Sequence, residues 1–450
     1  MKKKLIEYLI LILIIIFSFL IRVINLDTVP PNVTGDEITH LSDIYRIVIN
    51  KNFYLFDLVG DGSVGGASLL LPVSITNIFG IDNALLSLRL STSIFSILAL
   101  IPFYFIVKKR TNKFIGFLST LLLSTNYVYL NFSRTGWIFI PLMVFLSLCL
   151  ILYIEEINLK DKIIYYIILG LIAGLMFYGY FYGRFLVIFI LFYLLLRAIL
   201  KKNRVKNILK IGLFFLILIL IAGPFLFKNL NNLPTMLQRA NSVYIFSSNH
   251  KPSSFIPTLK NQIISTLRGN ILLDSNVIGR GIENQRYSSQ NISPLPLVVR
   301  LFFPLGLIYL LLNLKSQGFS LLLIVFMSIL TIQAITDLPP NFARGLLFFP
   351  FAYLVSSIFT YFLWIKIKNF TKNNLIFKYV LIVSIILGSI ITIKNDIFTY
   401  FSWIQSRDEL QARKPAIDYQ EFSDFQSLQI KKIKNDKHSI NVYDWENLKK

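Results

Sequence analysis

Gly35-Asp36-Glu37 is the acidic cluster with the clearest chemical promise in the sequence. It follows Pro30-Pro31, and the residues after it, Ile38-Thr39-His40-Leu41, read as the start of a helix. A carboxylate in a first helical turn faces backbone N–H groups and stays ionised. It could take a proton from an acceptor hydroxyl or hold a divalent cation. It could equally be an ordinary N-cap, for which Asp is a favoured residue. His40 follows Asp36 by one helical turn and shares its face. The two could bind a metal together, or His40 could be a polar interfacial histidine.

Three further clusters carry arginine or aromatic rings. In Asn131-Phe132-Ser133-Arg134-Thr135-Gly136-Trp137, Arg134 could grip a phosphate through charge-assisted bonds or anchor a helix end beside an aromatic belt. Tyr178-Gly179-Tyr180-Phe181-Tyr182-Gly183-Arg184 could line a groove for a sugar or lipid with Tyr180 and Tyr182, with Arg184 at its end. Asp337-Leu338-Pro339-Pro340-Asn341-Phe342-Ala343-Arg344 offers Arg344 as another phosphate contact or helix-end anchor, with Asn341 beside it. The run Gly60-Asp61-Gly62-Ser63-Val64-Gly65-Gly66 lacks the Lys-Ser/Thr ending of a phosphate-binding loop and reads as a flexible joint between two surface helices.

The elements that position these groups are membrane spans. Hydrophobic residues make up 55% and charged residues 15% of the 450 positions, less charge than a soluble domain carries. The apolar residues form long runs, as in a chain solvated by lipid. The first run covers residues 5–26. Later ones centre on 83–107, 114–130, 137–154, 163–181, 184–200, 208–227, 297–314, 319–336, 345–365 and 375–394, so about eleven spans are expected in an all-α polytopic protein. The stretch 69–79, with Pro72, is too short to span and reads as an interfacial or re-entrant helix. The net charge of +22 does not indicate nucleic acid. Its Lys and Arg cluster in alternate short loops, such as Lys108-Lys109-Arg110 and Lys201-Lys202, which points to a cytoplasmic N-terminus. That orientation puts 27–82, 228–296 and a tail, 395–450, outside, beyond a transmembrane domain of 1–394. Cys149 is the one cysteine, which excludes an intrachain disulfide.

In order along the chain, these segments resemble the GT-C glycosyltransferases that use lipid-phosphate sugars. The likeness is to the protein-mannosyltransferase-like family, glycosyltransferase family 39, which includes aminoarabinose transferases. The first span followed by Gly35-Asp36-Glu37, then Leu71-Pro72-Val73, Ser87-Leu88-Arg89-Leu90, Asn131 to Gly136, Tyr178 to Arg184 and Leu338 to Arg344 carry it, up to about residue 365. The resemblance implies a GT-C fold with juxtamembrane helices in the first outer loop. It implies Asp36 as the catalytic acidic residue that takes the acceptor proton, Glu37 as its support, and a polyprenyl-phosphate sugar as donor. It also implies an extracytoplasmic site in the cytoplasmic membrane and inversion at the anomeric carbon. Arg134, Arg184 or Arg344 would stabilise the departing phosphate. In one departure, many relatives carry an acid four residues after the Arg that corresponds to Arg134, where this chain has Ile138, so the role of that acid is either absent here or supplied from elsewhere, as by Asp61 or Asp337. A transporter or flippase and a non-catalytic envelope-assembly subunit are the competing classes. The acceptor could be protein, lipid or envelope glycan.

Overall fold

The computed structural model describes residues 2–60, 64–160, 162–200, 204–247, 254–271, 287–289, 292–313, 319–337, 339–370, 375–406, 416–417 and 419–436. It is a bundle of helices. The chain runs through α1 (Lys2–Val23), strand β1 (Val33–Thr34), α2 (Gly35–Asn50), β2 (Leu58–Val59), β3 (Val64–Gly65) and α3 (Leu70–Phe79). Next come α4 (Ala84–Leu98), α5 (Leu100–Arg110), α6 (Lys113–Thr125), α7 (Tyr127–Arg134) and α8 (Phe139–Lys160). They are followed by α9 (Ile163–Met176), α10 (Phe181–Leu200), α11 (Arg204–Lys228), α12 (Leu233–Val243) and α13 (Phe255–Ile271). The last third holds α14 (Leu297–Leu312), α15 (Phe319–Ala334), α16 (Phe348–Phe370), α17 (Leu375–Ser406), β4 (Ala416–Ile417) and α18 (Tyr419–Asp436).

Six helices among the described residues are long and apolar enough to cross a membrane, and a bent pair makes up to seven. Helices α6, α9, α14 and α15 are apolar but shorter, in the range of 10–17 residues. Apolar helices therefore stand at each expected run, while length and composition alone do not reach eleven spans. The exterior is what lipid requires: Leu5, Leu9, Leu13 and Leu20 of α1 and Ile390 and Ile391 of α17 are exposed. Small polar residues turn inward instead, including Ser91, Thr92, Ser93 and Ser96 of α4 and Thr120 and Ser124 of α6. The protein is an integral, multi-pass membrane protein.

Three boundaries differ from the sequence reading. The run 114–130 is not one helix: the chain breaks at Asn126, whose side chain accepts from the Tyr129 amide and restarts the helix as α7. A second bend of 118° separates α7 from α8. The final helix continues past 394 to Ser406, because Tyr400, Trp403 and Ile404 are buried against the bundle. Residues 395–406 thus continue the last long helix. The glycine-rich joint contributes an antiparallel pair, Leu58 with Gly65 and Val59 with Val64, and Asp61, Gly62 and Ser63 lie outside the described residues.

At the end of the bundle where α1 begins, basic residues pair with acids that the charge count did not connect. Glu7 meets Lys108, Lys113 and the Tyr104 hydroxyl, and Glu155 receives Arg110 at 2.5 Å. Between α9 and α11 the backbones approach closely. A Cβ at Gly170 would stand 2.7 Å from the Phe214 carbonyl oxygen, and one at Gly174 2.5 Å from Ile221 Cβ. Gly174→Leu is expected to lower stability in detergent by about 1–3 kcal/mol through overpacking. Gly212→Leu, where a Cβ meets nothing within 4 Å, is expected to leave the melting midpoint unchanged.

Candidate active site

Glu37 fixes the start of α2. Thr34 is the N-cap: its hydroxyl accepts from the Glu37 amide at 3.2 Å, and the Thr34 amide donates to Glu37 Oε2 at 2.9 Å. This reciprocal cap satisfies two orphan donors of the helix end. The Glu37 carboxylate does more than cap. Oε1 accepts from Arg89 Nε at 2.8 Å and from the Gly136 amide at 2.9 Å, joining α2 to α4 and to the turn between α7 and α8. Both members of the ion pair are fully buried. Burial alone would raise the Glu37 pKa. The Arg89 charge, with hydrogen bonds from Arg89, Thr34 and Gly136, outweighs it and holds the carboxyl below the ordinary carboxylate range.

Two buried arginines secure the loop that leads from α1 to this point. Arg89 also donates to the carbonyls of Pro30 at 3.1 Å and Asn32 at 3.0 Å. Arg134 places its Nη1 on the carbonyls of Ile21 and Arg22 (2.9 and 2.8 Å) and its Nη2 on those of Ile24 and Val29 (2.7 and 3.1 Å). Its Nε donates to the Tyr400 hydroxyl at 3.2 Å. The last carbonyls of a helix have no partner within it and carry partial negative charge, and Arg134 supplies the missing donors for α1. All five of its N–H groups therefore have an acceptor within the fold. This corrects the expectation that Arg134 binds the donor phosphate.

Asp36 lies in the first turn of α2, half-buried, beside the wholly buried Glu37. One turn on, His40 meets the Phe139 ring edge-on, with centroids 5.0 Å apart. Phe139 stacks on Tyr180 at 5.2 Å. Arg344 interacts electrostatically with Asp337 and with the phenol groups of Tyr180 and Tyr287. Burial would lower its pKa, but Tyr180 and Asp337 overcome this and keep it cationic, above its usual value. Arg344 forms an ion pair with Asp337 and donates to the Asp337 carbonyl at 3.0 Å. Its Nε is buried and has no hydrogen-bond partner among the described residues. Ring contacts therefore run from His40 of α2 through Phe139 to Tyr180, and Tyr180 interacts electrostatically with Arg344.

The large loop is built into this region. The Ile245 amide donates to the Ile335 carbonyl and the Asp337 amide to the Val243 carbonyl, which fixes the chain that carries Asp337. Tyr287 stacks on Phe132 and meets Trp137 edge-on.

The other expected site residues fall elsewhere. Arg184 folds back on its own turn, donating to the Phe177 carbonyl at 3.1 Å and lying over the Phe225 ring. Tyr182 is only 2% exposed and donates to the Ile140 carbonyl, so it is a packing residue and not part of a substrate wall. Asn341 is turned to its own loop, its Oδ1 accepting from the Arg344 amide at 3.1 Å. Ile138 is fully buried in the apolar core, and Asp337 is engaged by Arg344. Leu338 and Asp61, which also carried expectations, lie outside the described residues. Asp36 and His40 do not make a metal site by themselves: no group of three or more His, Cys, Asp or Glu residues gathers among the described residues. Arg22 was missed. It is fully buried near the end of α1, donating to the carbonyls of Ser18 and Ser124, both at 2.9 Å. Its signal was a charge within an apolar run, which marks a structural or functional role.

Residues 70–227 match the family described as dolichyl-phosphate-mannose-protein mannosyltransferase. The structure superposes on an oligosaccharyltransferase of Archaeoglobus fulgidus, in complex with Zn and sulfate, with a TM-score of 0.56 and 13% identity. That alignment covers 93% of this chain. The fold is GT-C. The chain spans 55% of the archaeal protein's length. ArnT from Cupriavidus metallidurans bound to undecaprenyl phosphate gives a TM-score of 0.56 at 10% identity, covering 88% of this chain and 75% of that one. Its apo state gives 0.55 at 10% identity, covering 88% and 74%. No curated protein matches the sequence. Fold and matched segment bear out the resemblance to protein-mannosyltransferase-like GT-C glycosyltransferases.

Two predictions follow from this geometry. Glu37 has a lowered folded pKa, so its stabilisation is complete above the unfolded value near 4.5 and is lost as pH falls through the folded value. The melting midpoint of the wild type should therefore drop in that acid window. Glu37→Gln should start lower at neutral pH and change less on acidification, and parallel curves would contradict the assignment. Arg134→Ala should destabilise the protein by about 3 kcal/mol or more, because several buried carbonyls lose their donors. Denaturant unfolding in detergent measures it.

Proposed function

We propose that this protein is a membrane glycosyltransferase that moves a sugar from a polyprenyl-phosphate donor to an acceptor on the extracytoplasmic side of the cytoplasmic membrane. The observation that carries this reading is the half-buried Asp36 in the first turn of a helix locked by Glu37, with ring contacts from His40 through Phe139 to Tyr180, and Arg344, in electrostatic reach of Tyr180, whose Nε has no partner among the described residues. One group can accept a proton and the other can receive an anion. The fold shared with ArnT bound to undecaprenyl phosphate supports the lipid donor. The basic loops at the far end of the bundle support a cytoplasmic N-terminus.

In this mechanism the acceptor hydroxyl gives its proton to an Asp36 carboxylate oxygen while its own oxygen attacks the anomeric carbon. The bond from that carbon to the phosphate oxygen breaks, and the electron pair leaves with the polyprenyl phosphate. A single displacement inverts the anomeric centre. Arg344 meets the charge that grows on the departing phosphate, and its burial strengthens that interaction. Glu37 does not react; it holds Asp36 in place.

Membranes supplied with a radiolabelled polyprenyl-phosphate hexose test the assignment. Asp36→Asn is expected to lower transfer by about 10²-fold or more, and Arg344→Ala by about 10²-fold. Equal transfer by wild type and Asp36→Asn would sink the role given to Asp36.

A further inference from the structure

Thr34 serves two structures at once. Its side chain and amide close the cap of α2, while its backbone pairs with Ala416 of β4; Val33 pairs with Ile417. The strand beside the candidate catalytic turn therefore comes from the far end of the chain. An isolated two-residue pairing is not stable by itself, and α18 supplies what it lacks. Phe422, Phe425, Gln429 and Ile433 recur every three or four residues, so they share one helix face, and all four are buried. Helix α18 packs against α2. Gln426 donates to the carbonyls of Ile81 and Asp82, each at 3.2 Å, in the turn between α3 and α4. The tail thus touches β1, α2 and the entry to α4, the helix that carries Arg89.

We propose that β4 (Ala416–Ile417) and α18 (Tyr419–Asp436) form a clasp that sets the first turn of α2, a positioning element for the Asp36 carboxylate outside the segment matched by the family. The catalytic half of this inference rests on the transferase reading; the structural half does not. Loosening α18 frees β4, and without β4 the backbone of β1 loses its partner immediately before the cap. The Glu37 tie then holds a helix start that is open on its chain-entry side.

The test uses the full-length protein in lipid nanodiscs and hydrogen exchange read by mass spectrometry across α2, with α9 as internal reference. One variant is Phe422→Ala with Phe425→Ala. A second, Ala416→Pro with Ile417→Pro, removes both amide hydrogens of β4 while leaving α18 unchanged, in case the first fails to fold. Amides of residues 35–41 are expected to exchange about tenfold faster or more in each, with α9 unchanged. Phe422→Leu with Phe425→Leu should restore slow exchange. In the transfer assay kcat should fall while KM for the lipid donor stays within about twofold. Unchanged exchange at 35–41 in both variants would overturn the clasp whatever happens to transfer. Faster exchange with undiminished kcat would overturn its role in positioning Asp36. If the wild type transfers no sugar, the transferase reading fails and the exchange data alone decide the clasp.

Discussion

The buried pair of Glu37 and Arg89 is the interaction on which the rest of the arrangement depends. Neither charge has water to solvate it, so each must be satisfied by neighbours. The neighbours they recruit are the elements that a membrane-surface site needs: the loop leaving α1, the cap of α2, the α4 helix and the turn at Gly136. One carboxylate thereby fixes the direction of the helix whose first turn also carries Asp36, which is left half-buried. Removing either partner would strand the other charge in the core, which typically costs about 3–5 kcal/mol. Adjacent acids in one motif thus have different environments, one wholly buried and one half-buried, set by which side of the first turn each occupies.

Arginine is used here mainly as a backbone organiser. Arg22, Arg89 and Arg134 are fully buried, and most of their donors go to carbonyls. In a lipid-solvated bundle an irregular segment between helices must find its hydrogen bonds inside the protein. The planar guanidinium, with five donors, can serve several carbonyls at once. Arg344 differs from these three because Asp337 and its own loop do not exhaust its donors among the described residues. That leftover capacity, and not charge alone, separates a phosphate-binding candidate from a structural arginine.

Much of this architecture was legible in the sequence. Apolar runs located the helices, the Pro-containing stretch 69–79, expected as an interfacial or re-entrant helix, is the 10-residue α3, and the position of Asp36 in a first turn followed from Pro30-Pro31 and Gly35. The ordered motifs pointed to the GT-C fold. Helix breaks were not legible, because Asn126 interrupts an apolar run without a proline or glycine to mark it. The division of labour among arginines was hidden too: Arg134 and Arg344 sit in similar turns, and only the carbonyls around Arg134 reveal that it caps α1. The pairing of β1 with β4 joins residues from the two ends of the chain through two-residue strands, which carry no periodic signal.

The central claim is that Asp36 takes the proton and Glu37 only places it. The most direct measurement is the pH dependence of kcat for sugar transfer by the wild type and Glu37→Gln. The account predicts a lower rate for Glu37→Gln with the acid limb retained, because the titrating base is still present. Loss of the acid limb in Glu37→Gln would contradict it and make Glu37 the base.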